Sequence, residues 1–194
     1  MAETRFDPSG YLTFDLARGR IAAPSGGGLV ALPAEHLAKL AGDADSGALG
    51  RLGKSIGEWF AGRLRERLAS AGDPTAVPPE TFLSELNGLL AVHGFGRAAI
   101  ESYGDAVLLR VGAAVLAGPE GVAFYEAFFA GLFGAFLDQT VHCLAIDTPE
   151  SRTVLVGSPP AIRRAAQLRT AGVAPETIAT RLHQESRAAR KGAR

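Results

Sequence analysis

The residues of this 194-residue chain whose types could do chemistry are four histidines, one cysteine, a Gly-Lys-Ser triplet and a glutamate set in a very apolar segment. Leu52-Gly53-Lys54-Ser55 has the ending of a phosphate-binding loop, in which glycine amides cradle phosphates and a lysine reaches the outermost ones. That motif puts its first glycine where this chain has Ala48, with Gly47 one residue out of register, and no hydrophobic strand runs into it. The segment therefore reads as an amphipathic helix that contains glycines. His36, His93, His142 and His183 show neither His-x-x-x-His nor Glu-x-x-His spacing, so no metal set is expected. His142 and Cys143 are neighbours on a predicted strand; their side chains point to opposite faces and do not chelate together. Cys143 reads as a small core residue rather than a reactive thiol. A Gly-x-Ser-x-Gly elbow is absent, so no motif presents a nucleophile. Glu120 and Glu126 would suit acid–base work as a pair, but the same spacing fits a solvated helix end. Glu126 interrupts an apolar run, and the expected role is an edge position or a partner for an arginine. No catalytic residue, metal or cofactor is assigned.

These residues must be positioned by elements that the hydrophobic periodicity outlines. Leu12, Phe14 and Leu16 alternate with polar neighbours, which predicts a short half-buried strand followed by a turn at Arg18-Gly19-Arg20. Pro24 to Gly28 holds no regular structure, Leu29 to Leu32 extends briefly, and Pro33 opens a short helix through Ala41. From Gly47 to Ala69 an amphipathic helix carries Leu49, Leu52, Ile56, Phe60, Leu64 and Leu68 on one stripe. Gly50, Gly53, Gly57 and Ala61 give it a smooth ridge that another backbone can approach closely. A second helix follows Pro78-Pro79-Glu80 and ends near Gly94. Arg97–Tyr103 and Ala106–Val111 flank Gly104-Asp105 as one hairpin, and Thr140–Ile146 and Arg152–Val156 flank residues 147–151 as another. Between the hairpins, residues 120–139 are apolar around most of a helical circumference and must be buried on more than one side. A stripe of Ala123, Ala127, Gly131 and Gly134 invites a close neighbour, either the glycine-ridged helix or a symmetry mate. The order strand, strand, buried helix, strand, strand implies an α+β fold: an antiparallel sheet of two hairpins packed with helices.

Residues 1–157 form this predicted domain, and residues 158–194 read as a basic helical appendage of two helices, Ala161–Thr170 and Pro175 to about Arg190. The formal charge of zero is a cancellation: residues 151–194 hold nine basic and two acidic side chains, which leaves −7 on the preceding 150. Arg163, Arg164, Arg169, Arg181, Arg187, Arg190 and Lys191 are the candidate partner-binding residues. Ala171 to Leu182 has the glycine turn and packing residues of the first two helices of a helix-turn-helix, but no apolar residues follow to anchor a recognition helix. With one cysteine, no signal pattern at the N-terminus and no apolar run of membrane-spanning length, a soluble cytoplasmic protein is expected.

Over roughly residues 47–157 the chain resembles the 4-vinyl reductase domain family, whose fold is shared with the core subunits of TRAPP vesicle-tethering complexes. The resemblance rests on Val92-His93-Gly94-Phe95-Gly96, the hairpin around Gly104-Asp105, the segment Tyr125 to Gly134, the hairpin beginning Val141-His142-Cys143, and Leu52-Gly53. It implies an α+β domain that often dimerises through helices and binds hydrophobic ligands or serves as a scaffold. Several members carry two cysteines on the last hairpin; Cys143 matches the first, whereas the second falls near Ser151 or Thr153, so no metal is implied here. No flavin or nicotinamide fingerprint accompanies the family name. The reading is a non-enzymatic binding or scaffold protein, a homodimer with an apolar pocket faced by Phe124, Phe128, Phe129, Leu132 and Phe133, whose basic tail docks a protein partner. The alternative is a ligand-sensing transcriptional regulator whose C-terminal helices bind nucleic acid.

Overall fold

The computed structural model describes residues 10–24, 28–69, 76–103, 106–116, 118, 120–146 and 152–192. Both turns expected at Gly104-Asp105 and at residues 147–151 lie outside the described residues. The two hairpins form one antiparallel sheet. In it β4 (Arg97–Tyr103) pairs with β5 (Ala106–Gly112), β5 with β7 (Arg152–Gly157), and β7 with β6 (His142–Ala145), so that β4 and β6 are the edges.

Alternation along the central strands sorts the core into two layers. Leu109, Val111, Val154 and Val156 face a helical layer of α2 (Ser46–Arg67), α3 (Pro79–Val92) and α4 (Glu120–Leu137). Leu108 and Leu155, one residue out of phase, face the opposite side with Leu144 and Ile146. There they meet Ala165, Leu168, Ile178, Ala179 and Leu182 of α5 (Pro159–Thr170) and α6 (Pro175–Gly192). The C-terminal helices thus cover the second sheet face of their own chain. Gly172, with φ of 75°, makes the turn between them.

The helix pair α2–α4 explains why glycines recur on α2. A Cβ on Gly53 would lie 2.3 Å from the Phe124 carbonyl oxygen, one on Gly57 2.1 Å from that of Phe128, and one on Gly131 2.5 Å from that of Lys54. The backbones touch where side chains would normally separate them, so the ridge on α2 fills the small-residue stripe of α4. Asp45 caps α2 by accepting a hydrogen bond of 2.7 Å from the Ala48 amide. Arg65 of α2 donates to the Phe136 carbonyl at the C-terminal end of α4, 3.1 Å away.

The N-terminal segment departs from expectation. Instead of a single strand it forms a small sheet of β1 (Thr13–Asp15), β2 (Arg20–Ala22) and β3 (Gly28–Leu29), followed by α1 (Ala34–Asp43). Phe14 and Leu16, predicted to be half-buried, are 61% and 90% exposed. Period-2 alternation reports that side chains share a face; here the chain lays little over that face. Leu52, expected on the buried stripe of α2, is also exposed, because the glycines and not the leucines set which side of α2 meets α4.

Candidate functional site

Gly53-Lys54-Ser55 sits two turns inside the continuous helix α2, whose N-terminus is already capped by Asp45. No phosphate-cradling loop exists there. Lys54 instead pairs with Glu58, 3.8 Å away. Both line a cleft of about 600 Å³ together with Gly131, Gly134, Asp138 and Thr140.

Glu126 has the role of an arginine partner at a sheet edge. Its Oε1 accepts the outward-facing amide of Ala145 on edge strand β6 at 2.7 Å, while Arg169 of α5 donates to the Ala145 carbonyl at 2.9 Å and lies 4.0 Å from Glu126. Helices on both faces of the sheet thereby close one edge with a carboxylate and a guanidinium. At the other edge Asn87 of α3 does the same with one amide: Ala98 N–H donates to Oδ1 at 2.7 Å and Nδ2 donates to the Ala98 carbonyl at 3.0 Å. The side chain of Glu120, the other carboxylate considered, lies outside the described residues.

Cys143 points inward from β6 while His142 is exposed, as strand alternation requires. Burial, with the nearby Glu126 charge adding to it, pushes the thiol up to about 12. It is therefore a thiol and not a thiolate at neutral pH. Among the described residues no three His, Cys, Asp or Glu side chains come together as metal ligands, and no helix is long and apolar enough to cross a membrane.

Phe124, Phe128, Phe129 and Leu132 are all fully buried between α2, α3 and the sheet, and Phe133 is half-buried at their end against Phe129 and Phe82. They belong to a larger aromatic cluster. The Phe60 ring of α2 meets Phe128 edge-on at 5.2 Å and Phe95 at 5.8 Å; Phe95 stacks with Phe124 at 5.7 Å. Tyr125 is buried among them, accepts from the Val115 amide at 3.2 Å, and is pushed up to about 12 by burial.

Three members were not marked as site residues by the sequence: Trp59, Phe60 and His93. The His93 ring meets Trp59 and Phe60 edge-on, each at 5.2 Å. Its Nδ1 donates to the Leu89 carbonyl at 2.9 Å, which leaves the lone pair on Nε2. That Nε2 is buried and has no hydrogen-bond partner, and burial lowers the imidazole below its ordinary 6.5. Trp59 and His93 are only partly buried, so this corner is where the cluster reaches the surface. The Arg63 guanidinium lies over the Trp59 ring, 5.4 Å from its centroid. The signal available in sequence was His93 inside the Val92-to-Gly96 segment; Trp59 is 34 residues earlier, and only the fold brings the two rings together.

Of the candidate partner-binding residues, Arg164 makes a two-pronged pair with Glu185, at 2.9 and 2.8 Å, and Arg169 closes the β6 edge. Arg163, Arg181 and Arg187 are exposed, and the side chains of Arg190 and Lys191 lie outside the described residues. The helix-turn-helix likeness ends at α6, which runs unbroken from Pro175 to Gly192 and turns Ile178, Ala179 and Leu182 into the sheet.

No protein-family model and no curated protein matches the chain. Among solved structures it is similar to the phenol-responsive sensory domain of the transcription activator PoxR, crystallised with phenol. The TM-score is 0.61 and the identity 13%, over 81% of this chain and 92% of that one. It also matches trafficking protein particle complex subunit 3 from Naegleria fowleri, covalently bound to palmitic acid. There the TM-score is 0.44 and the identity 12%, over 64% of this chain and 93% of that one. The first of these likenesses shows a shared fold.

Proposed function

We propose that this chain is a non-enzymatic binding module, a homodimer in the cytoplasm that takes a small apolar ring compound into its aromatic cluster. The basic helices α5 and α6 engage an acidic protein surface. One observation carries the ligand reading: the buried, partnerless acceptor Nε2 of His93 on the wall of an otherwise apolar cluster. A buried acceptor left unpaired costs about 1–3 kcal/mol, and a ligand hydroxyl that donates to it removes that cost. The ligand class is therefore a ring bearing a hydroxyl donor, entering at the Trp59–His93 corner. Phe124, Phe128, Phe129, Leu132 and Phe133 serve as the apolar wall behind it. The partner reading rests on Arg163, Arg181 and Arg187, which face solvent on helices whose apolar stripe is already used against the sheet.

Trp59 is the only tryptophan in the chain, so its emission reports this corner alone. Titration with a hydroxylated monocyclic aromatic should give a saturable change, weakened about tenfold in His93→Phe, which keeps a ring and removes the acceptor. No saturable change with any such compound would sink the ligand reading. Exchanging Arg163, Arg181 and Arg187 for glutamate should abolish capture of acidic protein partners; unchanged capture would remove the hairpin from the interface.

A further inference from the structure

We propose that the hydroxylated ring taken up at the Trp59–His93 corner also carries a carboxylate, and that Arg63 is the residue that receives it. The inference rests on the ligand reading above and names its chemical class, a hydroxylated aromatic acid.

The corner is one end of a seam between α2 and α3. Trp59 meets His93 at this end, and Arg67 pairs with Glu85 at the other. The spacing from 59 to 67 equals that from 85 to 93, so the two segments run antiparallel in matched steps. Arg63 stands midway along the α2 side, one helical turn from Trp59. Leu89 stands midway along the α3 side, and its carbonyl accepts from the His93 ring. The Arg63 guanidinium carbon is 5.4 Å from the centroid of the Trp59 ring, and the His93 ring is 5.2 Å from that of the same tryptophan. Both polar groups therefore pack against one indole.

Arg63 is the donor of this corner as His93 is its acceptor. Its side chain is 19% exposed, and its Nε and Nη1 are buried without a hydrogen-bond partner. Glu66 brings a carboxylate oxygen to 3.0 Å from Nη1, but that side chain is 51% exposed and leaves Nε untouched. The neighbouring arginines of α2 are satisfied. Arg65 donates through Nε and Nη2 to the Phe136 carbonyl, and Arg67 through Nε to Glu85 and through Nη1 to the Gly10 carbonyl. The guanidinium edge that carries Nε–H has a second N–H parallel to it, and a planar carboxylate accepts from both. Its charge also offsets a largely buried cation whose present counter-ion lies half in solvent. A neutral acceptor would fill one donor and leave the charge as it is. With a hydroxyl on His93 Nε2 and a carboxylate on Arg63, one molecule satisfies both buried groups.

Calorimetric titration of the full chain at pH 7 with phenol and with each of the three isomeric hydroxybenzoates tests this. At least one hydroxybenzoate should bind about tenfold tighter than phenol, a ratio that Arg63→Gln brings to about one. Phenol binding with every hydroxybenzoate equal or weaker overturns the carboxylate site and leaves the hydroxyl reading standing; silence with all four compounds overturns both. A preference that survives Arg63→Gln removes Arg63 from the site. Should that variant misfold by circular dichroism, Glu66→Gln decides. Freed of its competing carboxylate, the guanidinium should hold the hydroxybenzoate about threefold tighter while phenol is unmoved, and an unchanged hydroxybenzoate affinity refutes the assignment.

Discussion

Replacing Gly57 with alanine should destabilise this protein although alanine is the better helix former. A methyl at that position would sit 2.1 Å from the Phe128 carbonyl oxygen and 2.9 Å from the Leu132 nitrogen, both backbone atoms that cannot swing aside. An ordinary contact needs about 3.4 Å, so α2 must withdraw from α4 by about 1.3 Å. Gaps of roughly 0.5–1 Å already forfeit a quarter to a half of each dispersion contact, and the Phe60–Phe128 edge-on pair lies directly behind this crossing. Overpacking of this kind costs about 3 kcal/mol, against which helix propensity returns about 1. The net expectation is a loss of about 2 kcal/mol or more. Gly62 on the same helix supplies the control: nothing lies within 4 Å of its added methyl, so Gly62→Ala should gain about 0.5–1 kcal/mol. Urea unfolding at one fixed protein concentration, followed by Trp59 emission and circular dichroism, measures both. If Gly57→Ala is as stable as Gly62→Ala, the close crossing of α2 and α4 does not exist as described.

Three further outcomes follow from the site. Because burial lowers the folded His93 imidazole below its ordinary 6.5, the unfolded chain binds the proton first as pH falls. Stability should therefore be full above that value, decline as pH drops towards the folded value and then level off; the urea midpoint of His93→Phe should lack this component. Glu126→Ala removes the acceptor of the Ala145 amide and Arg169→Ala the donor to its carbonyl, and each should cost about 1–3 kcal/mol, measured by the same urea unfolding. Cys143, partly buried and pushed up to about 12 by burial and Glu126, should react with a disulfide reagent more slowly in the native chain than in the urea-unfolded one; equal rates would contradict its placement.

Much of the architecture was legible because it is written in local patterns. The aromatic circumference of residues 120–139 required burial on several sides, and Gly53, Gly57 and Gly131 announced the close helix crossing that the structure contains. Glu126 was legible as an arginine partner because a lone carboxylate in an apolar helix must be satisfied. Other features depend on distant pairings that no window contains. Phe14 and Leu16 follow strand alternation faithfully, yet what covers a face is decided by the rest of the chain. The basic hairpin shows the same limit: its charges suggested an outward role, while Ala165, Leu168, Ile178 and Leu182 spend its apolar stripe on the second sheet face. His93 stood in the Val92-to-Gly96 segment without a role of its own, since its setting comes from the Trp59 and Phe60 rings beside it and from the lone pair they leave unpaired.

The central claim is that His93 Nε2 receives a hydroxyl from a ring compound, and a calorimetric cycle tests it most directly. Native chain and His93→Phe are each titrated with a hydroxylated ring and with the same ring lacking the hydroxyl. A coupling of about 1–1.5 kcal/mol between the imidazole and the hydroxyl is predicted. A coupling of zero, with all four titrations alike or all silent, would contradict it.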